Sequence, residues 1–134
     1  MPSRAAVLDI LENQQIPQRR LPDFVSTTAA LSLTYNTHAG KIVRNTAKNL
    51  NITLPLATTA KAGEQYVVMV GINSTTGQDL TLKVTSADKV NEGTSGKGLK
   101  NEGSTDSVGD SVTVVSDGTG WYTTAMVGTW LAEA

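Results

Sequence analysis

From Ala29 onward apolar residues fall at every second position in run after run. This period confines the chain to β-structure, because only in strands do successive side chains point to opposite faces. Leu31, Leu33 and Tyr35 alternate with Ser32 and Thr34; Leu50, Ile52, Leu54 and Leu56 alternate with Asn49, Asn51 and Thr53; Leu80, Leu82 and Val84 alternate with Thr81, Lys83 and Thr85. Tyr66, Val68, Val70 and Ile72 form a further inward row, and Val67 and Met69 between them make this the one strand apolar on both faces. Such a strand belongs in the middle of a sheet and covered on both sides.

Turn residues punctuate these runs and suggest the pairing. Asn36-Thr37-His38-Ala39-Gly40 separates the 31–35 run from Lys41–Asn45, so those two read as a hairpin; Asn73–Gln78 separates the 66–72 and 80–84 runs, which read as a second. Asp117-Gly118-Thr119-Gly120 lies between Val112–Val115 and Trp121–Val127, and an Asp-Gly pair between β-branched runs is a strong hairpin signal. Residues 86–107 are mostly Gly, Ser, Thr, Asn, Lys and Glu, with Ala87, Val90 and Leu99 the apolar exceptions, and are expected to form a long loop holding one or two short strands. About eight strands at spacings of roughly 8 to 12 residues predict an antiparallel, jelly-roll-like β-sandwich over residues 29–134.

Residues 1–28 follow different rules. Val7, Leu8, Ile10 and Leu11 have helical spacing after Ser3, a possible cap, which predicts a short amphipathic helix within residues 4–15. Pro17 and Pro22 then bias the chain to an extended course on either side of Arg19-Arg20. The expectation is an N-terminal arm with little of its own to pack against.

At 134 residues the chain has the size of one domain. It contains no cysteine, which excludes disulfides, thiolate metal ligands and a thiol nucleophile. Eleven Lys and Arg oppose twelve Asp and Glu without a dense run of either sign, so the basic stripe of a nucleic-acid binder is missing. No apolar stretch approaches the roughly 18 residues of a membrane span, and the first residues read as those of a soluble chain without a signal peptide.

The chain offers little to catalysis. Its one histidine, His38, falls in a turn, and no Gly-x-Ser-x-Gly elbow accompanies the many Ser and Thr. The spacing of Asp88, Glu92, Glu102, Asp106 and Asp110 matches no calcium loop, and Gly93-Thr94-Ser95-Gly96-Lys97-Gly98 lacks the full phosphate-loop pattern and a following helix. The sequons at Asn51 and Asn73 read as polar strand and turn residues. Trp121, Tyr122 and Trp130 could present a sugar-stacking platform, but a β-domain with six aromatics usually places them in its core or at a subunit interface. No catalytic residue, cofactor or metal is expected.

The run Val108-Gly109-Asp110-Ser111-Val112-Thr113-Val114-Val115-Ser116-Asp117-Gly118-Thr119-Gly120-Trp121-Tyr122, with Gly128-Thr129-Trp130 after it, resembles the closing hairpin of a β-module of tailed-bacteriophage virion proteins. Gly40–Asn45, Ile52-Thr53-Leu54-Pro55 and Ala62-Gly63-Glu64-Gln65-Tyr66-Val67-Val68 look like the opening of the same module. The resemblance spans roughly residues 30–130. It implies a structural role on the virion surface, commonly as a trimer, in a head decoration (cement) protein or in a head-fibre or tail-fibre segment. For a decoration protein the partners would be the major capsid protein and two further copies of the chain, and the location the outside of the head after a period in the host cytoplasm. The arm would then meet the capsid through Val7, Leu8, Ile10, Leu11, Ile16, Leu21 and Phe24, with Arg19 and Arg20 pairing to shell carboxylates, while Trp121, Tyr122 and Trp130 would be available for trimer or surface contacts.

Overall fold

The computed structural model describes residues 23–47, 49–75 and 77–134. The predicted helix within 4–15 and the arm as far as residue 22 lie outside the described residues. Ten strands build two five-stranded sheets. The front sheet has the order β1 (Phe24–Thr27), β3 (Ile42–Asn45), β5 (Gln65–Val70), β8 (Ser111–Ser116), β9 (Trp121–Val127). The back sheet has the order β10 (Leu131–Ala132), β7 (Leu99–Asn101), β6 (Leu80–Lys83), β4 (Leu50–Thr53), β2 (Leu31–Ser32). The all-β sandwich expected from the alternation is present, and β5 is the middle strand of its sheet.

The strand pairing departs from the antiparallel, jelly-roll-like expectation: both sheets are mixed. Through β6 the chain crosses from sheet to sheet at every strand, so β1, β3 and β5 stack parallel in front while β2, β4 and β6 stack parallel behind. Parallel neighbours need a crossover of a dozen or more residues, and here each crossover carries a strand of the opposite sheet. The 31–35 and 41–45 runs are therefore not a hairpin. Leu31–Ser32 pairs with β4, Ile42–Asn45 pairs with β1 and β5, and Tyr35–His38 closes a single helical turn, α1, between them. Nor do β5 and β6 pair with each other, because β6 joins β4 in the back sheet. Alternation sets which face a residue occupies, and a parallel or an antiparallel partner satisfies it equally.

The last four strands close the coil with antiparallel pairs: β8 on β5, β9 on β8, β7 on β6 and β10 on β7. The Asp117 hairpin forms as expected. Asp117 Oδ1 accepts from the Thr119 and Gly120 N–H groups, each at 2.8 Å, and Gly118 takes φ +93°, where a Cβ would be strained. The 86–107 stretch contributes β7 and an isolated bridge from Val90 to Trp121. Lys89 O accepts from the Trp121 N–H at 3.0 Å and the Asn91 N–H donates to Trp121 O at 2.8 Å, so this loop blunts the edge of β9.

Between the sheets the inward rows meet. Val43, Val68, Val112 and Val114 from the front face Ile52, Leu82 and Leu99 from the back, all buried. Each such side chain contributes about 1.5–3 kcal/mol relative to exposure. Trp121 and Tyr66 are both fully buried and meet at a tilted 5.7 Å ring separation. The Trp121 indole N–H donates to Pro55 O at 3.2 Å, and the Tyr66 hydroxyl donates to the buried Glu64 carboxylate.

Strand β1 lies within residues 1–28, the predicted arm. Its Val25 pairs with Val43, so the front sheet begins at Phe24 rather than at residue 29. The alternation of a four-residue strand flanked by polar residues is too short to register in the sequence.

Candidate functional site: an apolar outer face

The two outward faces of the sandwich differ in chemistry. On the back sheet the strand register lines up Ser32, Thr53 and Lys83 in one outward row and Asn51, Thr81 and Lys100 in the next. Acids answer both lysines. Lys83 pairs with Glu133, and Lys100 lies 3.1 Å from Glu102 and 3.7 Å from Asp79. Partial burial opposes ionisation of Glu133, but the Lys83 ammonium and the Gly98 N–H outweigh it and hold the carboxyl below the ordinary glutamate range. Leu131, 44% exposed beside Lys100 at the β10 edge, is the apolar member of these rows, and the rest of the face is polar and ion-paired.

The outward rows of the front sheet read Phe24, Ile42, Val67, Thr113, Ala125 and, one pleat on, Ser26, Arg44, Met69, Ser111, Val127. A third, shorter row is Gln65, Val115, Tyr122. Register brings these residues together from five strands, and a bulge between Thr113 and Val114 lets β9 keep Ala125 and Val127 on this side. Ile42, Val67, Met69 and Val115 are half-buried, while Phe24 is 52% and Val127 57% exposed. Arg44 is the only formal charge in the three rows, and its guanidinium lies 5.0 Å over the Phe24 ring and donates to Ser26 Oγ at 2.9 Å. Apolar side chains outnumber polar ones in these rows, the reverse of the back sheet.

Of the three aromatics for which core, subunit interface and surface were all open, Trp121 is fully buried and Trp130 is 7% exposed, its indole N–H donating to Val127 O at 3.2 Å. Both serve the core, because a sandwich with so few large side chains fills its interior with them. Tyr122 alone remains in reach of a partner. It stands where the front face meets a cleft of about 270 Å³ lined by Asp88, Lys89, Glu92 and Gly120 among others. Burial first, then the Asp117 and Glu92 carboxylates, push its hydroxyl above the ordinary tyrosine range. Of the residues expected to bind a capsid, Val7, Leu8, Ile10, Leu11, Ile16, Arg19, Arg20 and Leu21 lie outside the described residues, and Phe24 sits on the front face.

The polar groups singled out in the sequence serve the fold. His38 is buried, and its Nδ1 accepts from the Thr34 N–H at 2.9 Å, which closes the turn of α1; burial holds its pKa below the ordinary histidine value. Asp88 accepts from the Ala57 N–H at 2.7 Å, and Asp106 from the Ser74 N–H at 3.0 Å. Asp110 Oδ2 accepts from Asn101 Nδ2 and from the Ser107 N–H, each at 3.1 Å, and so ties the back sheet to the start of β8. Among the described residues no three His, Asp or Glu side chains gather where they could hold a metal ion. Likewise, no helix among them is long and apolar enough to cross a membrane.

Sequence reasoning found Val67 and Met69, whose presence beside an inward row made β5 apolar on both faces. It missed Ile42, Val115, Ala125 and Val127, since their common face exists only once the register of five strands is set. No protein family, curated protein or solved structure matches the chain.

Proposed function

We propose that this chain is a bacteriophage capsid decoration (cement) protein, which binds the outer surface of the head as a trimer and stabilises the shell without catalysing any reaction. The observation that supports this most is the inequality of the two sheet faces. One is ion-paired and suited to permanent exposure; the other is apolar and suited to a protein neighbour. A subunit of an assembly needs both. The structural use of His38, Asp88, Asp106 and Asp110 fits the same reading. In this reading residues 1–22 run over the major capsid protein, where a short segment laid along a partner covers a wide area for few residues.

Purified particles test it. Quantitative gel analysis should find the chain in hundreds of copies per head, and heads stripped of it should rupture at lower temperature and recover when it is added back. Absence from particles, or stripped heads as heat-resistant as coated ones, would refute the proposal.

The cleft between the 88–92 segment and the Asp117 hairpin favours a second reading, a head-fibre or tail-fibre module that binds a host receptor or glycan. Its Lys89, Glu92 and Tyr122 offer both donors and acceptors to a polyhydroxylated ligand. A fibre tip would be present in a few tens of copies at most, so the same gel separates the two readings.

A further inference from the structure

The trimer reading leaves open which surface joins the copies. We infer that the outer face of the front sheet is that surface, and that three copies turn it toward a common axis. This rests on the trimer reading and adds the face to it. The rows centred on Val67 and Met69 hold apolar side chains and hydroxyls, with Arg44 the sole formal charge, and charge depletion at the centre is what distinguishes the core of a subunit interface from ordinary surface. Arg44 is held toward the β1 edge by Ser26 and the Phe24 ring, away from that centre.

The dimensions suit a threefold arrangement. Five strands at about 4.8 Å make a face about 24 Å wide, and strands of about five residues make it about 17 Å deep, so two opposed faces cover roughly 800 Å² in projection. Side-chain relief carries the accessible area toward the ~1,000 Å² total that a specific interface needs. Three faces of that width, set as the sides of a triangular prism, stand about 7 Å from the axis, near the ~5 Å that each of two packed sheets supplies to the space between them. Methionine, isoleucine and valine side chains from three copies fill such a prism. The chain's own first 22 residues are a poorer occupant: they carry Arg4, Arg19 and Arg20 against Asp9 and Glu12, a net positive segment for a face whose one charge is an arginine. A second and a third copy bring the same neutral centre to one another.

Light scattering on the full chain at tens of micromolar tests this. The wild type is expected at three times the 14.1 kDa chain mass, and Val67→Asp and Met69→Asp at the mass of one chain with an unchanged far-ultraviolet circular dichroism spectrum. Thr81→Asp, on the polar face, should leave the threefold mass intact. Should the aspartate variants unfold, Val67→Cys replaces them: the chain has no other cysteine, so a thiol-specific bismaleimide long enough to cross the axis should link pairs of Val67→Cys chains and none of Thr81→Cys. A trimer that survives Val67→Asp, or cross-links only through Thr81→Cys, overturns the assignment of the face and leaves the trimer reading standing. A monomeric wild type overturns both, and one that self-associates only after removal of residues 1–22 assigns the face to the chain's own arm instead.

Discussion

Replacing Tyr66 by phenylalanine removes one oxygen from the centre of the sandwich and isolates the worth of a single buried hydrogen bond. The Tyr66 ring is fully buried against Trp121, and the substitution keeps the ring and its 5.7 Å separation. What it removes is the donor to Glu64, a residue 9% exposed whose carboxylate retains the Lys61 N–H at 2.9 Å. A hydrogen bond to a charged group is worth about 1.5–3 kcal/mol, and the acceptor left behind loses its compensation for burial. The expected loss is therefore about 2 kcal/mol, or roughly 6–10 °C in Tm for a domain of this size. Urea unfolding followed by tryptophan fluorescence measures it, since Trp121 reports directly on this part of the core.

The same residue gives a pH signature. Burial first, and then Glu64 as hydrogen-bond acceptor and as charge, raise the Tyr66 pKa in the folded state well above the ordinary tyrosine value of about 10. A raised folded pKa contributes stability that is fully present below the unfolded value of about 10 and is lost progressively as the pH rises above it toward the folded value. Wild-type stability should fall more steeply above pH 10 than that of Tyr66→Phe, so that the gap between the two narrows. A variant within about 0.5 kcal/mol of the wild type, or a gap independent of pH between 9 and 11, would refute the reasoning.

Removing residues 1–22 should leave a sandwich with wild-type circular dichroism that no longer sediments with capsids; full retention of binding would end the proposed role of the arm. Gly128 takes φ +81°, and a Cβ there would stand 2.2 Å from the Asp110 carboxyl carbon, so Gly128→Ala should destabilise by more than about 2 kcal/mol in urea unfolding. The Thr119 and Gly120 N–H groups, followed by the Thr119 hydroxyl, hold the Asp117 carboxyl below its ordinary pKa. Its carboxyl carbon resonance should therefore titrate below pH 3.8, and the turn it organises should loosen as the pH falls through that lowered value rather than above it.

Much of the interior was legible in the alternation. Ile52, Leu54, Tyr66, Val68, Val70, Leu80, Leu82, Val112 and Val114 are all buried on the rows where period two places them, and the Asp117-Gly118 hairpin forms where turn chemistry requires it. Those features are local: a strand's two faces and a tight turn depend on residues adjacent in the chain. The partners of the first six strands were not legible. A crossing from one sheet to the other and a fold-back within one sheet can be made by connections of similar length and composition, and only packing across the whole domain selects between them. Phe24 shows the same limit, because its strand is too short to announce itself and is recruited by β3.

By itself the sequence determined an all-β domain with its aliphatic rows turned inward, a flexible choice of turns narrowed by Gly and Asp, and a chain without cysteine. Only the tertiary structure decided that two mixed sheets interleave, that Trp121 and Trp130 belong to the core, and that Phe24, Ile42, Val67, Met69 and Val127 share one outward face. The physical reason is that burial and register are properties of many strands at once. A valine at every second position shows that two faces exist, whereas what lies against each face is settled by residues far away in the chain.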